Sequence, residues 1–289
     1  RVAHPARLRR ARRPRRGAGV TVDVIRGDAL AVLVGMGDET VDAVVTDPPY
    51  SSGGAFRSDR GGSAREKYLG GGSAALDRLP EFYGDNRTER GLLAWSSLWL
   101  AECWRVTRTG GAIAAFCDWR SLPTFSDALQ AGGWSWRGIG VWAKPQAKSR
   151  PVLGGLWNDT EYILWGSKGP RAEGECLPGT WTEDNPPPHL WSGVVAPGST
   201  TRLHVTEKPQ PILRDLVRFA PPGGVVLDPF AGSGSTGVAA LAEGRHAVLV
   251  ELSAEYVDII RDRLATIAAH GSDLAVVGGS TLFDGETTA

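Results

Sequence analysis

Apolar residues along this chain fall into two alternating patterns. Short runs rich in Val, Ile and Ala occupy residues 20–25, 41–45, 112–117, 225–227 and 247–250. Gly, Pro or a carboxylate bounds each run, as expected of a buried strand. Residues 134–142 and 161–165 read as two more strands, forming a hairpin at a sheet edge. Helical spacing covers residues 29–34, 90–108, 121–131, 207–220, the segment running from Gly237 to Glu243, and 253–269. Within 90–108 the apolar face carries Leu92, Leu93, Trp95, Leu98, Trp99, Ala101, Cys103 and Val106, which makes its tryptophans core residues. Thr109-Gly110-Gly111 is expected to end that helix. Strands alternating with helices predict an α/β fold with a doubly wound, mostly parallel sheet.

Several stretches lack either period. Residues 1–16 carry eight Arg and no acid, and the basic segment 1–19 is expected to be a disordered tail. Without residues 1–16 the chain holds 24 basic against 32 acidic residues, so a formally neutral protein has an acidic body. Residues 51–72 contain seven glycines and read as a mobile loop beside the site described next. Residues 169–201 combine six prolines with Trp181 and Trp191. Residues 271–289 read as a flexible tail. Between 137 and 171 six basic residues face only Asp159 and Glu161. Lys144, Lys148, Arg150, Lys168 and Arg171 are therefore candidate contacts to nucleic-acid phosphates. No apolar run reaches membrane-spanning length. Three cysteines without a C-x-x-C pair fit a reducing cytoplasm and offer no metal site.

The chemistry begins at Thr46-Asp47-Pro48-Pro49-Tyr50. Each proline fixes its own φ and lacks an N–H, and the residue before a proline is pushed to extended geometry. Asp47 and the Pro48 carbonyl are thus two rigid acceptors at a strand's C-terminal end, where open α/β sheets place ligands. Together they suit an aromatic amine with two N–H donors, while Tyr50 offers a face for stacking. Read alone, the same residues also fit a strand end followed by a proline turn. Asp28, just past the first strand, is either a ligand contact or a helix N-cap.

A second cluster is Asp228-Pro229-Phe230-Ala231-Gly232-Ser233-Gly234-Ser235-Thr236-Gly237. It follows a strand and opens a helix, with Glu251 closing the next strand. Gly232-x-Gly234-x-x-Gly237 formally matches a dinucleotide loop, so an NAD-dependent oxidoreductase is one reading. S-adenosylmethionine is the other, with Glu251 toward its ribose hydroxyls and the glycines allowing close backbone approach. No Lys follows the glycines, which excludes a Walker-A loop.

The Asp47–Tyr50 tetrapeptide resembles the catalytic motif of DNA amino-methyltransferases, which methylate adenine N6 or cytosine N4. Asp at its first position is the form typical of the adenine enzymes. The Asp228–Thr236 segment resembles their S-adenosylmethionine loop. Leu203-His204-Val205-Thr206-Glu207-Lys208-Pro209 resembles the segment that helps hold the methionine end, with Val205 where the family has Pro. Gly27-Asp28-Ala29-Leu30 resembles the segment whose Asp contacts the cofactor adenine. The order of the pieces is similar to the permuted beta class, with the catalytic half (20–168) ahead of the cofactor half (202–270).

The resemblance implies a Rossmann-like, seven-stranded sheet with one antiparallel strand near its edge and a target-recognition region inserted at 169–201. It implies methyl transfer from S-adenosylmethionine to adenine N6 of a base flipped out of double-stranded DNA, with cytosine N4 as the alternative. Asp47, Pro48, Pro49 and Tyr50 are the implied catalytic residues. The implied cofactor residues are Asp28, Asp47, Thr206, Lys208, Asp228, Pro229, Phe230, Gly232, Gly234, Ser235, Thr236 and Glu251. The recognition sequence, homodimer formation and a cognate restriction endonuclease stay open at this level.

Overall fold

The computed structural model describes residues 19–50, 87–144, 154, 156, 159–171, 176–182, 208–269 and 274–277. These build a single sheet of nine strands: β1 (Val20–Arg26), β2 (Val41–Thr46), β3 (Thr107–Cys117), β4 (Ser135–Ala143), β5 (Thr160–Ser167), β6 (Thr180–Thr182), β7 (Val225–Asp228), β8 (His246–Glu251) and β9 (Leu274–Val277). The order across the sheet is β6-β4-β5-β3-β2-β7-β8-β1-β9. Among these only β5 runs against its neighbours, β3 and β4. Every other described pairing is parallel.

Among the described residues six helices cover the two faces: α1 (Ala29–Gly35), α2 (Glu89–Val106), α3 (Leu122–Ala131), α4 (Gln210–Val217), α5 (Ser235–Ala242) and α6 (Ala254–Ala269). Strand β2 shows why both faces need cover. All six of its residues are buried. Val41 and Val44 join Leu33, Leu92, Trp99, Leu100 and Phe125 from α1, α2 and α3. Ala43 and Val45 point the other way, to the cluster containing Ile212, Leu216, Ala239, Val257 and Ile260 from α4, α5 and α6. A strand covered on both faces reads as a continuous apolar run.

The sheet exceeds the expected seven strands by its two short edges. Strand β9 falls inside the segment expected to be a flexible tail and pairs with β1 from Val20↔Leu274 to Asp23↔Val277. Strand β6 falls inside the segment expected to recognise DNA. Its Trp181 is core, not an exposed aromatic, and donates from Nε1 to Asp215 Oδ2 on α4 at 2.9 Å. Gly140 on β4 makes the room, since a Cβ there would meet Trp181 at 2.8 Å. Helix α2 also stops earlier than its apolar period suggests. Strand β3 begins at Thr107, whose hydroxyl donates to the Cys103 carbonyl, and Gly110 and Gly111 lie within the strand. Helix α4 begins at Gln210 after Pro209; residue 207, its expected start, lies outside the described residues.

Strand direction fixes where chemistry can occur. β1, β2, β3, β4, β7 and β8 all end at one edge of the sheet, and the reversed β5 begins there. Asp28, Asp47, Asp118, Lys144, Glu161, Asp228 and Glu251 gather at that edge.

Trp181→Phe keeps the apolar volume but removes the buried donor to Asp215. It should lower the stability of the fold by about 1–3 kcal/mol, read from the urea unfolding midpoint at unchanged m-value.

Candidate active site

The site is built where β2 and β7 lie side by side. Thr46, the last residue of β2, donates its hydroxyl to Asp228 Oδ1, the last residue of β7, at 2.7 Å. The same oxygen accepts the Phe230 N–H at 3.1 Å. Burial lifts the Asp228 carboxyl to about 6, against the pull of bonds from Thr236, Thr46 and the Phe230 N–H.

One residue beyond Thr46, Asp47 Oδ2 lies 2.6 Å from Lys208 Nζ, just ahead of α4. Asp47 Oδ1 is buried and has no hydrogen-bond partner. Burial raises the Asp47 carboxyl to about 6, with Glu161 and Asp228 acting in the same direction and Lys208 opposing. Lys208 also lies 3.2 Å from Glu161 Oε2. Burial works against the Lys208 charge, but the two carboxylates raise its pKa. Pro48 is buried and Tyr50 half-buried. The Tyr50 carbonyl accepts from Ser121 Oγ at 2.7 Å, and Lys208 Nζ stands 5.8 Å from its ring centroid. The tetrapeptide is therefore held from both ends, with one acceptor oxygen to spare.

The second motif sits one strand away. Phe230 packs edge-on against Trp99 at 5.1 Å and against Trp95 at 5.5 Å, so the tryptophans of α2 set its ring. Pro229 links it to Asp228. Gly232 and Gly234 have φ of +52° and +80°, the region that favours glycine. Gly237 serves packing: a Cβ there would meet Leu249 at 2.6 Å. Ser235 and Thr236 open α5 and are buried. Glu251 Oε2 accepts the Gly232 N–H and Oε1 the Ser253 N–H, both at 2.9 Å. Burial raises the Glu251 pKa. Asp28 lies alongside, because Arg26 pairs with Glu251 across β1 and β8. Asp28 caps α1, accepting the Ala31 N–H at 3.0 Å. Thr206 lies outside the described residues.

The candidate phosphate contacts separate into different places. Lys144 is at the site edge but is engaged: it pairs with Glu161 and stands 5.2 Å from the Trp142 ring. Lys168 and Arg171 are at the opposite end. β5 is antiparallel, with Cys117↔Tyr162 at the site end and Ala112↔Ser167 at the far end, so the chain after Ser167 has left the site. Lys168 is buried there, donating to the Thr107 carbonyl at 2.7 Å, with Glu39 at 3.5 Å and the Trp104 ring at 4.3 Å. Arg171 lies over the Phe219 ring at 4.9 Å. Both cations are parts of the fold. Lys148 and Arg150 lie outside the described residues.

Sequence reasoning missed Thr46, Ser121 and Glu161. The signal for Thr46 was a polar residue closing a β-branched run. The signal for Glu161 was an acid in register with Trp142, two residues from Lys144, in a predicted hairpin. Among the described residues no helix is long and apolar enough to cross a membrane, and no group of three or more His, Cys, Asp or Glu could hold a metal ion.

Comparison with known proteins places the chain in a family and shows its fold in solved structures. A family model, N6_N4_Mtase, described as DNA methylase, matches residues 41–262. The chain is 28% identical to the DNA adenine methyltransferase YhdJ of Escherichia coli K12, over 90% of this chain and 87% of that protein. Two solved structures share the fold. M1.HpyAVI in complex with SAM superposes with a TM-score of 0.56 at 21% identity, covering 84% of this chain and 98% of that one. The cytosine-N4-specific PvuII DNA methyltransferase gives 0.58 at 14% identity, covering 84% and 86%.

Lys168→Ala should cost about 1–3 kcal/mol of stability in urea unfolding, by leaving buried carbonyls without their donor. Binding of duplex DNA should keep its affinity and its salt dependence. A shallower salt slope in this variant would put Lys168 back among the phosphate contacts.

Proposed function

Because the chain belongs to the N6_N4_Mtase family of DNA methylases, we propose that it transfers a methyl group from S-adenosylmethionine to adenine N6 of a base flipped out of double-stranded DNA. The observation that carries this reading is Asp47: one oxygen paired to Lys208, the other buried and unclaimed beside the Pro48 carbonyl. Family membership removes the oxidoreductase reading of the glycine loop. Gly237, its third glycine, faces Leu249 of the protein itself.

The residues at the site edge fit S-adenosylmethionine. Gly232 and Gly234, both in the left-handed region, lie between Asp228 and Glu251. Glu251 holds Gly232 through one oxygen, and a carboxylate oxygen has room for a further donor such as a ribose hydroxyl. Lys208 and Phe230 line the approach from the Asp47 side, while Asp28 stands past Glu251. When bound, the cofactor supplies an electrophilic methyl group on a sulfonium.

This chain's residues then act by positioning. Asp47 Oδ1 and the Pro48 carbonyl accept hydrogen bonds from the two N–H groups of the target amine, which draws its lone pair out of conjugation with the ring. Tyr50 stacks on the base. Two fixed acceptors in a water-poor site need little reorganisation as the amine becomes cationic. With its pKa lifted to about 6, Asp47 is also a suitable first acceptor for the proton that the methylated amine sheds.

Adenine is favoured over cytosine by Asp at the first position of the tetrapeptide and by the likeness to YhdJ. Phosphate positioning falls to Lys148 and Arg150, in the segment after Lys144. Target recognition falls to 169–201, apart from the sheet residues Thr180–Thr182.

Incubating the protein with S-adenosylmethionine and a DNA library, then sequencing by a method sensitive to modified bases, tests the reaction and the base together. N6-methyladenine at a fixed motif supports the proposal; N4-methylcytosine transfers it to the other branch; no modified base sinks it. Asp47→Ala should lower the rate by about 10²–10³-fold while leaving the fold intact. Tyr50→Phe should retain activity and Tyr50→Ala should weaken base binding, since stacking is worth roughly 1–3 kcal/mol per base. The ionised carboxylate is the acceptor, so the wild-type rate should fall as pH drops through about 6, as a pH series of initial rates would show.

A further inference from the structure

Asp47, Lys208, Glu161 and Lys144 form a row of alternating charge across the site edge. Lys208 Nζ stands 2.6 Å from Asp47 Oδ2 and 3.2 Å from Glu161 Oε2. Lys144 pairs with the other oxygen, Glu161 Oε1. The Lys208 side chain is only 5% exposed and that of Glu161 12%. A pairing this buried is not a surface ornament, because unpaired charges there carry a large desolvation cost.

The arrangement has a chemical purpose for Asp47. An ammonium is a stronger partner for a carboxylate than a neutral aromatic amine is. Held by Asp47 alone, Lys208 would face that carboxylate with its full charge and compete for both oxygens. A second carboxylate oxygen 3.2 Å away on the far side divides the ammonium's field. Asp47 Oδ1 stands free of any hydrogen bond beside that pair.

We propose that Glu161 is a positioning residue of the methyl-transfer site: it fixes Lys208 between two carboxylates, leaves Asp47 Oδ1 open for the target amine, and is itself anchored by Lys144. This rests on the reading of Asp47 as the amine-binding group. The electrostatics agree with the geometry. Burial disfavours the Glu161 charge, but Lys208 and Lys144 lower its pKa and keep it ionised. Its negative charge in turn works to raise Asp47, opposing Lys208. Among the described residues the groups around Asp47 are Lys208 ahead of α4, Glu161 on β5, Asp228 on β7, Cys117 on β3 and Tyr50 on its own strand end; Lys144 on β4 acts through Glu161.

Two neutral variants should push Asp47 in opposite directions. Glu161→Gln keeps the shape but removes a negative charge, so Asp47 becomes more acidic. Lys144→Gln removes the positive charge that partly masks Glu161, so Asp47 becomes less acidic. The titration is read from the carboxyl ¹³C resonance of Asp47 in the full chain, assigned by its loss in Asp47→Asn. The midpoint should fall by about one pH unit in Glu161→Gln and rise in Lys144→Gln. The acid limb of the DNA methylation rate should follow each midpoint. Shifts of the same sign, or midpoints that stay in place while activity falls at every pH, would overturn the proposal and leave Glu161 a structural residue. Should Glu161→Gln fail to fold, Lys144→Gln decides alone: a rise supports the proposal and no rise overturns it. Opposite midpoint shifts in a protein that methylates no DNA would leave the charge row standing and remove the proposed reaction instead.

Discussion

A 2.7 Å bond from the Thr46 hydroxyl to the Asp228 carboxylate joins two strand ends that are 182 residues apart in sequence. Almost everything else at the site is arranged around it. It holds the last residue of β2 against the last residue of β7, so the amine-binding motif and the glycine loop start from one fixed point. With Thr46 tied down, the backbone of Asp47 next to it starts from a fixed place. Phe230 is held to the same carboxylate through its backbone N–H. Two halves of the chain thus share an origin, and the distance between their reactive groups is set by the 4.7–4.9 Å spacing of neighbouring strands.

Around that point the protein keeps an expensive set of buried charges. Asp47, Asp228 and Glu251 all sit where burial raises their pKa values. Apolar residues of the same volume would make a more stable fold. The site avoids the worst of the cost by distributing partners: hydroxyls and an N–H for Asp228, N–H groups for Glu251, one shared ammonium for Asp47 and Glu161. Two carboxylate oxygens of the set, Asp47 Oδ1 and Glu161 Oε2, keep no hydrogen-bond partner, and Glu161 Oε2 has the Lys208 ammonium at 3.2 Å. Stored electrostatic imbalance at one atom is how a rigid site holds affinity for a donor that has yet to arrive.

The sequence made much of this legible, for a physical reason. Contiguous motifs carry their own geometry: the two prolines after Asp47 and the glycines after Phe230 constrain the backbone locally, whatever surrounds them. The doubly wound sheet followed from the alternation of apolar runs, and β1, β2, β3, β7 and β8 lie close to where the pattern placed them. What escaped depended on strand direction. The reversal of β5 puts Glu161 at the site and carries Lys168 and Arg171 to the other end of the sheet, whereas charge counting along the chain saw one basic region. Trp181 looked like a surface aromatic because its partner, Asp215, is 34 residues away on α4. β9 went unseen because its four residues stand between small and polar neighbours that read as a tail.

The strand order also has a history built into it. During synthesis β2 meets β3 early, since both are made within the first 117 residues. Its other edge has to wait for β7, and β1 has to wait for β8, whose His246 ring nitrogen contacts Thr21 from 225 residues away. For most of translation the nascent chain therefore presents open strand edges with Val41, Ala43, Val44 and Val45 among the side chains not yet fully covered. Open apolar edges are templates for wrong pairing. A chain cut short anywhere before Val225 would carry that edge permanently, so the cell should meet such fragments as sticky, chaperone-bound species and not as small stable domains.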